Sequence, residues 1–300
     1  MKYKFYSIFM LLVLALSLTA CSDDDGGSQG SGRNANRNIV TDEPAVGRLE
    51  FPRLKGGSSK VIVYRTNDSR AYDADRVNFA VEWDSNKKSQ RWTCYQMHQG
   101  YAGGYSRVLD QVYPFDLTNL DSDDYLDKDY IWGSGFHHGH ICPSADRKYS
   151  YNANYQTFYM TNMQPQYGNF NGSSTNQSLW YRLEGKVRDW TPKNIGDTLY
   201  VCKGGTIDDE DQILMRVQDK MIVPKYFFVA LLLKTPTYSR AIGFYLEHTN
   251  QSTVSANLAD YAVSIDELEE LTGIDFFCNL PDDTEDHVEK KAYLEDWSLN

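Results

Sequence analysis

Three histidines fall within four positions, in the run His137-His138-Gly139-His140-Ile141-Cys142-Pro143-Ser144-Ala145-Asp146-Arg147. Near neutral pH an imidazole accepts a proton or binds a metal, so the run offers either a general base or ligands. The H-H-x-H spacing lacks the H-E-x-x-H pattern of a helical zinc site. On a strand, adjacent side chains also point to opposite faces, which speaks against all three converging on one ion. Farther along, Asn176, Trp180, Glu184 and Arg188 recur every four positions, a slowly drifting stripe on one face of a helix. Trp180 by itself reads as core packing. The amide, carboxylate and guanidinium around it suit a polar site. An amide oxygen holds a hydrated Mg²⁺ without cancelling its charge, and the ion keeps several waters in such a site.

These side chains need a scaffold, and the hydrophobic pattern supplies one. Val61–Arg65, Val77–Trp83 and Arg91–His98 are β-branched and aromatic runs between polar turns, and read as strands. Residues 99–135 form a long Gly-, Tyr- and Asp-rich connection, a length that is uncommon unless it serves a site. Gln156–Met163 reads as a further strand. Thr175–Trp190 has helical spacing at Leu179, Trp180, Leu183 and Val187. Leu199–Lys203, Tyr226–Lys234 and Ala241–Glu247 complete the strands. Ser264-x-x-Glu267 is a capping box, Gly273 closes the short helix behind it, and Glu285–Trp297 reads as a last amphipathic helix. The class expected is α+β, a central antiparallel or mixed sheet with helices packed on it.

The N-terminus carries an address. Lys2 and Lys4 precede an apolar run, Ile8 to Ala20, too short to span a bilayer but suited to a signal peptide. Leu18-Thr19-Ala20-Cys21 resembles a bacterial lipobox, with Cys21 as the lipidated residue. Ser22-Asp23-Asp24-Asp25-Gly26-Gly27 resembles the export signal of surface lipoproteins in Bacteroidetes-type bacteria. The expected division is a leader over 1–20, a flexible tether over 21–58 and one domain over 59–300, displayed from the outer membrane. Of the 300 residues, 41% are hydrophobic and 22 are tyrosine, which excludes a disordered chain. The net charge of −11 argues against a general DNA-coating protein. The imbalance is local: residues 60–200 carry 15 basic and 16 acidic side chains, residues 201–300 carry 8 and 19. A nucleic acid would therefore meet the first half. Cys94, Cys142, Cys202 and Cys278 allow two disulfides or four buried thiols, and the spacing does not choose.

On its motifs the chain resembles the DNA/RNA non-specific endonucleases, relatives of endonuclease G among the ββα-metal (His-Me finger) nucleases. Gly139-His140 with Pro143 matches that family's central motif. Thr161-Asn162-Met163-Gln164-Pro165-Gln166 matches its following strand, and Asn176 to Glu184 its metal helix. Val223–Phe227, Ile265–Glu269 with Thr272-Gly273, and Asn279–Asp283 are further echoes, so the likeness runs from about residue 60 to 283. The resemblance implies a ββα-metal motif within the fold and Mg²⁺ as cofactor, with Mn²⁺ or Ca²⁺ as substitutes. It implies His140 as the base that takes a proton from water and Asn176 as the direct metal ligand. Glu184 would hold metal-bound water, Arg107 would contact phosphate, Asn162 would support the site, and Arg188 would pair with Glu184. The activity implied is cleavage of DNA and RNA with little sequence specificity, leaving 5′-phosphate ends.

One departure stands out. The family's Asp-Arg before Gly-His is His137-His138 here, which removes a permanently charged, bidentate phosphate fork. His138 would act as a phosphate clamp only when protonated, or as a neutral donor, and Arg147 is a candidate to compensate. Two other readings remain: a phosphodiesterase for small nucleotides, favoured by a narrow site, and a degenerate nucleic-acid- or glycan-binding lipoprotein. Whether the chain forms a homodimer is left open.

Overall fold

The computed structural model describes residues 33–67, 75–101, 103–108, 113–172 and 177–299. The leader, Cys21 and Asn176 lie outside the described residues. In chain order the elements are β1 (Ser59–Arg65), β2 (Val77–Asp84), β3 (Ser89–Met97), β4 (His137–His140), α1 (Tyr151–Gln156), β5 (Met163–Gln166), α2 (Gly168–Asn171) and α3 (Leu179–Asp189). They continue with β6 (Thr198–Gly205), β7 (Ile213–Val217), β8 (Met221–Pro224), β9 (Tyr226–Lys234), β10 (Ser239–Glu247), β11 (Ala262–Val263), α4 (Ile265–Thr272) and α5 (Asp282–Glu289).

A seven-stranded sheet in the order β1-β2-β3-β6-β9-β10-β11 forms the centre, and every pairing in it is antiparallel. The expected antiparallel or mixed sheet is thus antiparallel throughout. The central strands β2, β3, β6 and β9 are buried on both faces, and β9 reads as a continuous apolar run. Along β9 the alternation is plain. Phe227, Val229, Leu231 and Leu233 pack with Leu179, Trp180, Leu183 and Val187 of α3. Phe228, Ala230 and Leu232 face the other way, toward Ile265 and Leu268 of α4 and Val288 of α5. One sheet therefore separates two helical layers. The two-stranded sheets β4–β5 and β7–β8 stand apart from it.

Several expectations change. The segment 156–163 is not one strand. Ser150 caps α1 by accepting a hydrogen bond from the Ala153 N–H, and the chain turns before β5 pairs antiparallel with β4. The final helix also divides. Pro281 at its N-cap starts α5 at Asp282, α5 ends at Glu289, and a separate 3₁₀ turn covers Leu294–Trp297. The break follows from packing: Val288 belongs to the α4–α5 side of the sheet, whereas Trp297 is buried on the α3 side against Trp190. Residues 33–58 are not a free tether. Asn38 donates to the Val46 and Pro52 carbonyls, its own backbone N–H bonds to Asn279, and Ala45, Val46 and Phe51 are buried. The four cysteines are buried free thiols, with Cys94 and Cys202 facing each other across β3 and β6.

The cap on α3 is Ser178, whose hydroxyl accepts from the Tyr181 N–H. On α4, Ser264 accepts from Glu267 N–H, and Gly273 follows in the left-handed conformation (φ 67°) that glycine adopts without a Cβ penalty.

Candidate active site

The geometry begins with Gly139. A Cβ there would lie 2.2 Å from the Gln166 side chain, so glycine leaves the room that this buried side chain fills. Pairing of β4 with β5 sets His140 at the end of β4, opposite Met163. The His140 ring meets Phe158 edge-on at 4.9 Å, and its Nε2 is out of solvent contact without a hydrogen-bond partner among the described residues. Burial, followed by the nearby Arg107 charge, lowers its pKa to about 3. The imidazole is accordingly neutral at physiological pH, the form that accepts a proton.

His140 borders a cleft of about 920 Å³ that opens to solvent. Glu184 and Arg188 reach the same cleft from α3, Arg107 from the long connection, and His137 and His138 from β4. The structure thus brings together residues from three separated stretches. Arg107 donates from Nη1 to the Ser144 hydroxyl (2.8 Å) and lies 5.0 Å over the Phe158 ring. Asn171 and Gly172 form the rim nearest in sequence to Asn176.

Partners differ from expectation in three places. Glu184 pairs with Lys203 at 3.0 Å, not chiefly with Arg188, and Lys203 also lies 4.4 Å over the Trp180 ring. Burial raises the Glu184 carboxyl above its ordinary range while the Lys203 charge opposes that rise. Arg188 instead pairs with buried Asp146 at 3.0 Å. Arg147 offers no replacement charge to the cleft. It is fully buried and spends its donors on the carbonyls of Asn78, Gln96 and Asp146.

His138 departs most from the role sketched for it. Its Nε2 lies 2.6 Å from Asp129 Oδ2, and its ring stacks on Tyr113 at 3.7 Å with the planes 3° apart. That nitrogen is therefore already engaged by a carboxylate. Burial tends to raise the Asp129 carboxyl, but the His138 hydrogen bond and charge hold it below its ordinary value. Asn162 is buried and stays out of the cleft. It accepts from the Cys142 N–H at 2.8 Å and donates to the Cys142 and Thr157 carbonyls, bracing the chain two residues beyond His140.

Sequence reasoning missed Lys203, Asp129 and Trp132. A lysine within the apolar run of β6 was a readable signal, since a buried ammonium needs an anion. Asp129 and Trp132 lie in the aperiodic connection, where no pattern marks them. Trp132 is 72% exposed at the cleft edge, with its ring 6.2 Å from that of His138.

The described donors fit a hydrated hard cation: a carboxylate oxygen borders the cleft, while the nearby Cys142 thiol is buried away from it. The profile of the DNA/RNA non-specific endonucleases matches residues 58–283. The chain belongs to that family. It is an enzyme of the metal-dependent endonuclease class. A nuclease from Nostoc sp. is 27% identical over 227 residues, covering 71% of this chain and 76% of that one. The mitochondrial nuclease EXOG of Xenopus laevis is 25% identical over 217 residues, 69% of this chain and 58% of that one. The chain thus spans about three-quarters of the first relative and rather more than half of the second. A chain in the crystal structure of the EndoG/EndoGI complex shares the fold with a TM-score of 0.60 at 17% identity, covering 82% of this chain and 96% of that one.

Proposed function

We propose that this family member hydrolyses phosphodiester bonds in DNA and RNA at the cleft between β4 and α3, with little sequence specificity. The observation that carries the reading is the convergence of neutral His140, Glu184 and Arg107 on one open cleft. His140 takes the proton from the attacking water, and Arg107 holds the phosphate. Arg107 also couples binding to basicity. Its charge depresses His140, and a phosphate anion seated against it offsets that effect, so the base strengthens where substrate is present. Glu184, fixed by Lys203, orients water at the site, and Asn162 fixes the chain that carries His140. Asn176 would hold a Mg²⁺ ion directly, with Glu184 binding it through water. When bound, the ion supplies Lewis-acid stabilisation of the phosphate and of the departing 3′ oxygen. The products carry 5′-phosphate.

Exposed Trp132 at the rim favours a polymer, because it offers a stacking surface beyond the reacting phosphate. The deciding experiment is digestion of supercoiled DNA and structured RNA by the whole domain, residues 33–58 included, with Mg²⁺ and with EDTA. Cleavage of both polymers only with Mg²⁺ is expected. Hydrolysis of a small diester without polymer cleavage would make the protein a nucleotide phosphodiesterase, and no hydrolysis of either would make it a binding protein. Lipidation at Cys21 and outer-membrane display are part of the same proposal. They rest on the leader sequence and are tested by the mass of the N-terminal peptide from the membrane fraction.

A further inference from the structure

On the opposite side of the sheet from the cleft, three carboxylates converge. Asp266 and Glu269, three residues apart on α4, present oxygens that lie within 4.8 Å of each other and of an oxygen of Glu289 at the end of α5. Carboxylates gather on many protein surfaces, so proximity alone decides nothing. Glu289 is different: it is 5% exposed, and its Oε1 is out of solvent contact with no hydrogen-bond partner among the described residues. A buried carboxylate oxygen without a donor is costly to leave bare.

The surroundings sharpen the problem. Glu269, Glu285, Asp266 and Asp275 are the charges that act most strongly on Glu289, all of the same sign. Glu269 accepts the Phe276 N–H at 2.7 Å, and Glu285 accepts from Asn36 at 2.8 Å. The nearest lysine in sequence, Lys290, turns to Asp286 at 3.6 Å on the exposed side of α5. Burial together with these like charges raises Glu289 to about 10 and Glu269 to about 8. Such a group either keeps a proton or gains a cation.

We propose that Asp266, Glu269 and Glu289 form a calcium site that ties α4 to α5, separate from the metal of the cleft. Ligand chemistry selects the ion. Calcium takes several oxygen ligands at about 2.3–2.6 Å in flexible geometry, so ligand oxygens on one calcium lie up to about 5 Å apart. The three carboxylate oxygens here lie within 4.8 Å of one another, inside that range. Mg²⁺ demands a near-ideal octahedron, keeps several waters and binds through one or two carboxylates, so a set of three carboxylates suits calcium better. Zn²⁺ prefers nitrogen and sulfur ligands, which the cluster lacks. The site is also independent of the cleft by construction: α4 and α5 pack on the Phe228–Leu232 side of β9, whereas α3 packs on the Phe227–Leu233 side.

The test uses the full chain stripped with EGTA, with CaCl₂ as the probe, read by calorimetric titration and thermal unfolding. With calcium in about 100-fold excess over its Kd, the wild type should gain about 5 °C in Tm. Asp266→Asn, a change at an exposed residue that keeps the fold, should weaken calcium binding about tenfold or more. In a Glu184→Gln background, where the cleft no longer holds metal-bound water through its carboxylate, the calcium-dependent Tm gain should remain, and adding Glu289→Gln should abolish it. Three results would overturn the site. One is an equal Tm gain in Asp266→Asn and wild type. Another is an equal gain from MgCl₂ and CaCl₂ in the Glu184→Gln background. The third is a wild type indifferent to calcium, which would mean that Glu289 and Glu269 share a proton.

Discussion

The cleft and the α4–α5 cluster handle acidic side chains in opposite ways. At the cleft each has a base: Glu184 has Lys203, Asp146 has Arg188, and Asp129 has His138. Between α4 and α5 the acids crowd together, and among the described residues no cation pairs with Glu289. A paired ion costs little as long as both members stay, and removal of one strands the other in low dielectric. An unpaired acid titrates or recruits an ion. The cleft is therefore organised to hold fixed charges for chemistry, and the α4–α5 cluster to change its protonation or its ligand.

Substitutions in each region should expose that contrast. The largest effect is expected for His140→Ala, a fall of about 10²–10⁴-fold in DNA cleavage rate with thermal stability retained. Steady-state rates alongside circular dichroism check it, and a matching loss of fold would move His140 to a structural role. In the α4–α5 cluster, Glu289→Gln should leave the rate unchanged.

Stability comes next. Lys203→Met leaves Glu184 buried and unpaired, and should cost about 3–5 kcal/mol in urea unfolding. The double variant Lys203→Met with Glu184→Gln should recover most of that loss. A cost no greater than that of an exposed pair, under about 1 kcal/mol, would show that the ion pair is solvated.

Stability against pH separates the two regions without mutation. His140 near 3 and His248 near 4 are lowered by burial, below the ordinary histidine value of about 6.5. Their contribution is present above pH ~6.5 and is lost as pH falls through the folded values. Glu285 near 7, Glu269 near 8 and Glu289 near 10 are raised, chiefly by burial. Their contribution is present below the unfolded value of about 4.3 and is lost as pH rises through the folded values. In EGTA, urea midpoints should therefore decline toward both acid and alkali. Glu289→Gln should flatten the alkaline branch alone, and an unchanged alkaline slope would remove Glu289 from it.

The smallest effect belongs to His138→Arg. Asp129 stands ready to take the guanidinium, so the alkaline cleavage rate should rise only a few-fold, within about 1 kcal/mol of barrier. Adding Asp129→Asn should free the new charge for phosphate and enlarge the gain.

Much of this was legible in the residues. The strands of the central sheet, the α3 stripe and the α4 cap are local patterns of apolar spacing and capping chemistry, and they stand within a few residues of where they were expected. Gly139-His140 and Glu184 could be joined because their motifs survive in order. Less legible was whatever depends on contacts distant in sequence. Residues 33–58 look like a tether because their Asn, Arg and Gly content is polar, yet Asn34, Asn36 and Asn38 satisfy backbone and side-chain groups about 240 positions away. The partners of Glu184 and His138 also come from other elements, and only the fold introduces them. Trp297 shows the same limit: its spacing suits a continuous helix, but the side of the sheet it must reach breaks that helix in two.

The buried thiols give the molecule a set of internal clocks. Burial pushes the Cys142 thiol up to about 12 and raises the Cys94, Cys202 and Cys278 thiols well above the ordinary thiol value, so none forms the reactive thiolate while the chain around it stays closed. Their labelling rates then count openings. Cys94 and Cys202, at the middle of the sheet, react when the whole sheet parts. Cys142, two residues past His140, times the breathing of the catalytic wall, and Cys278 times release of the C-terminal segment from the strap that begins near Asn34.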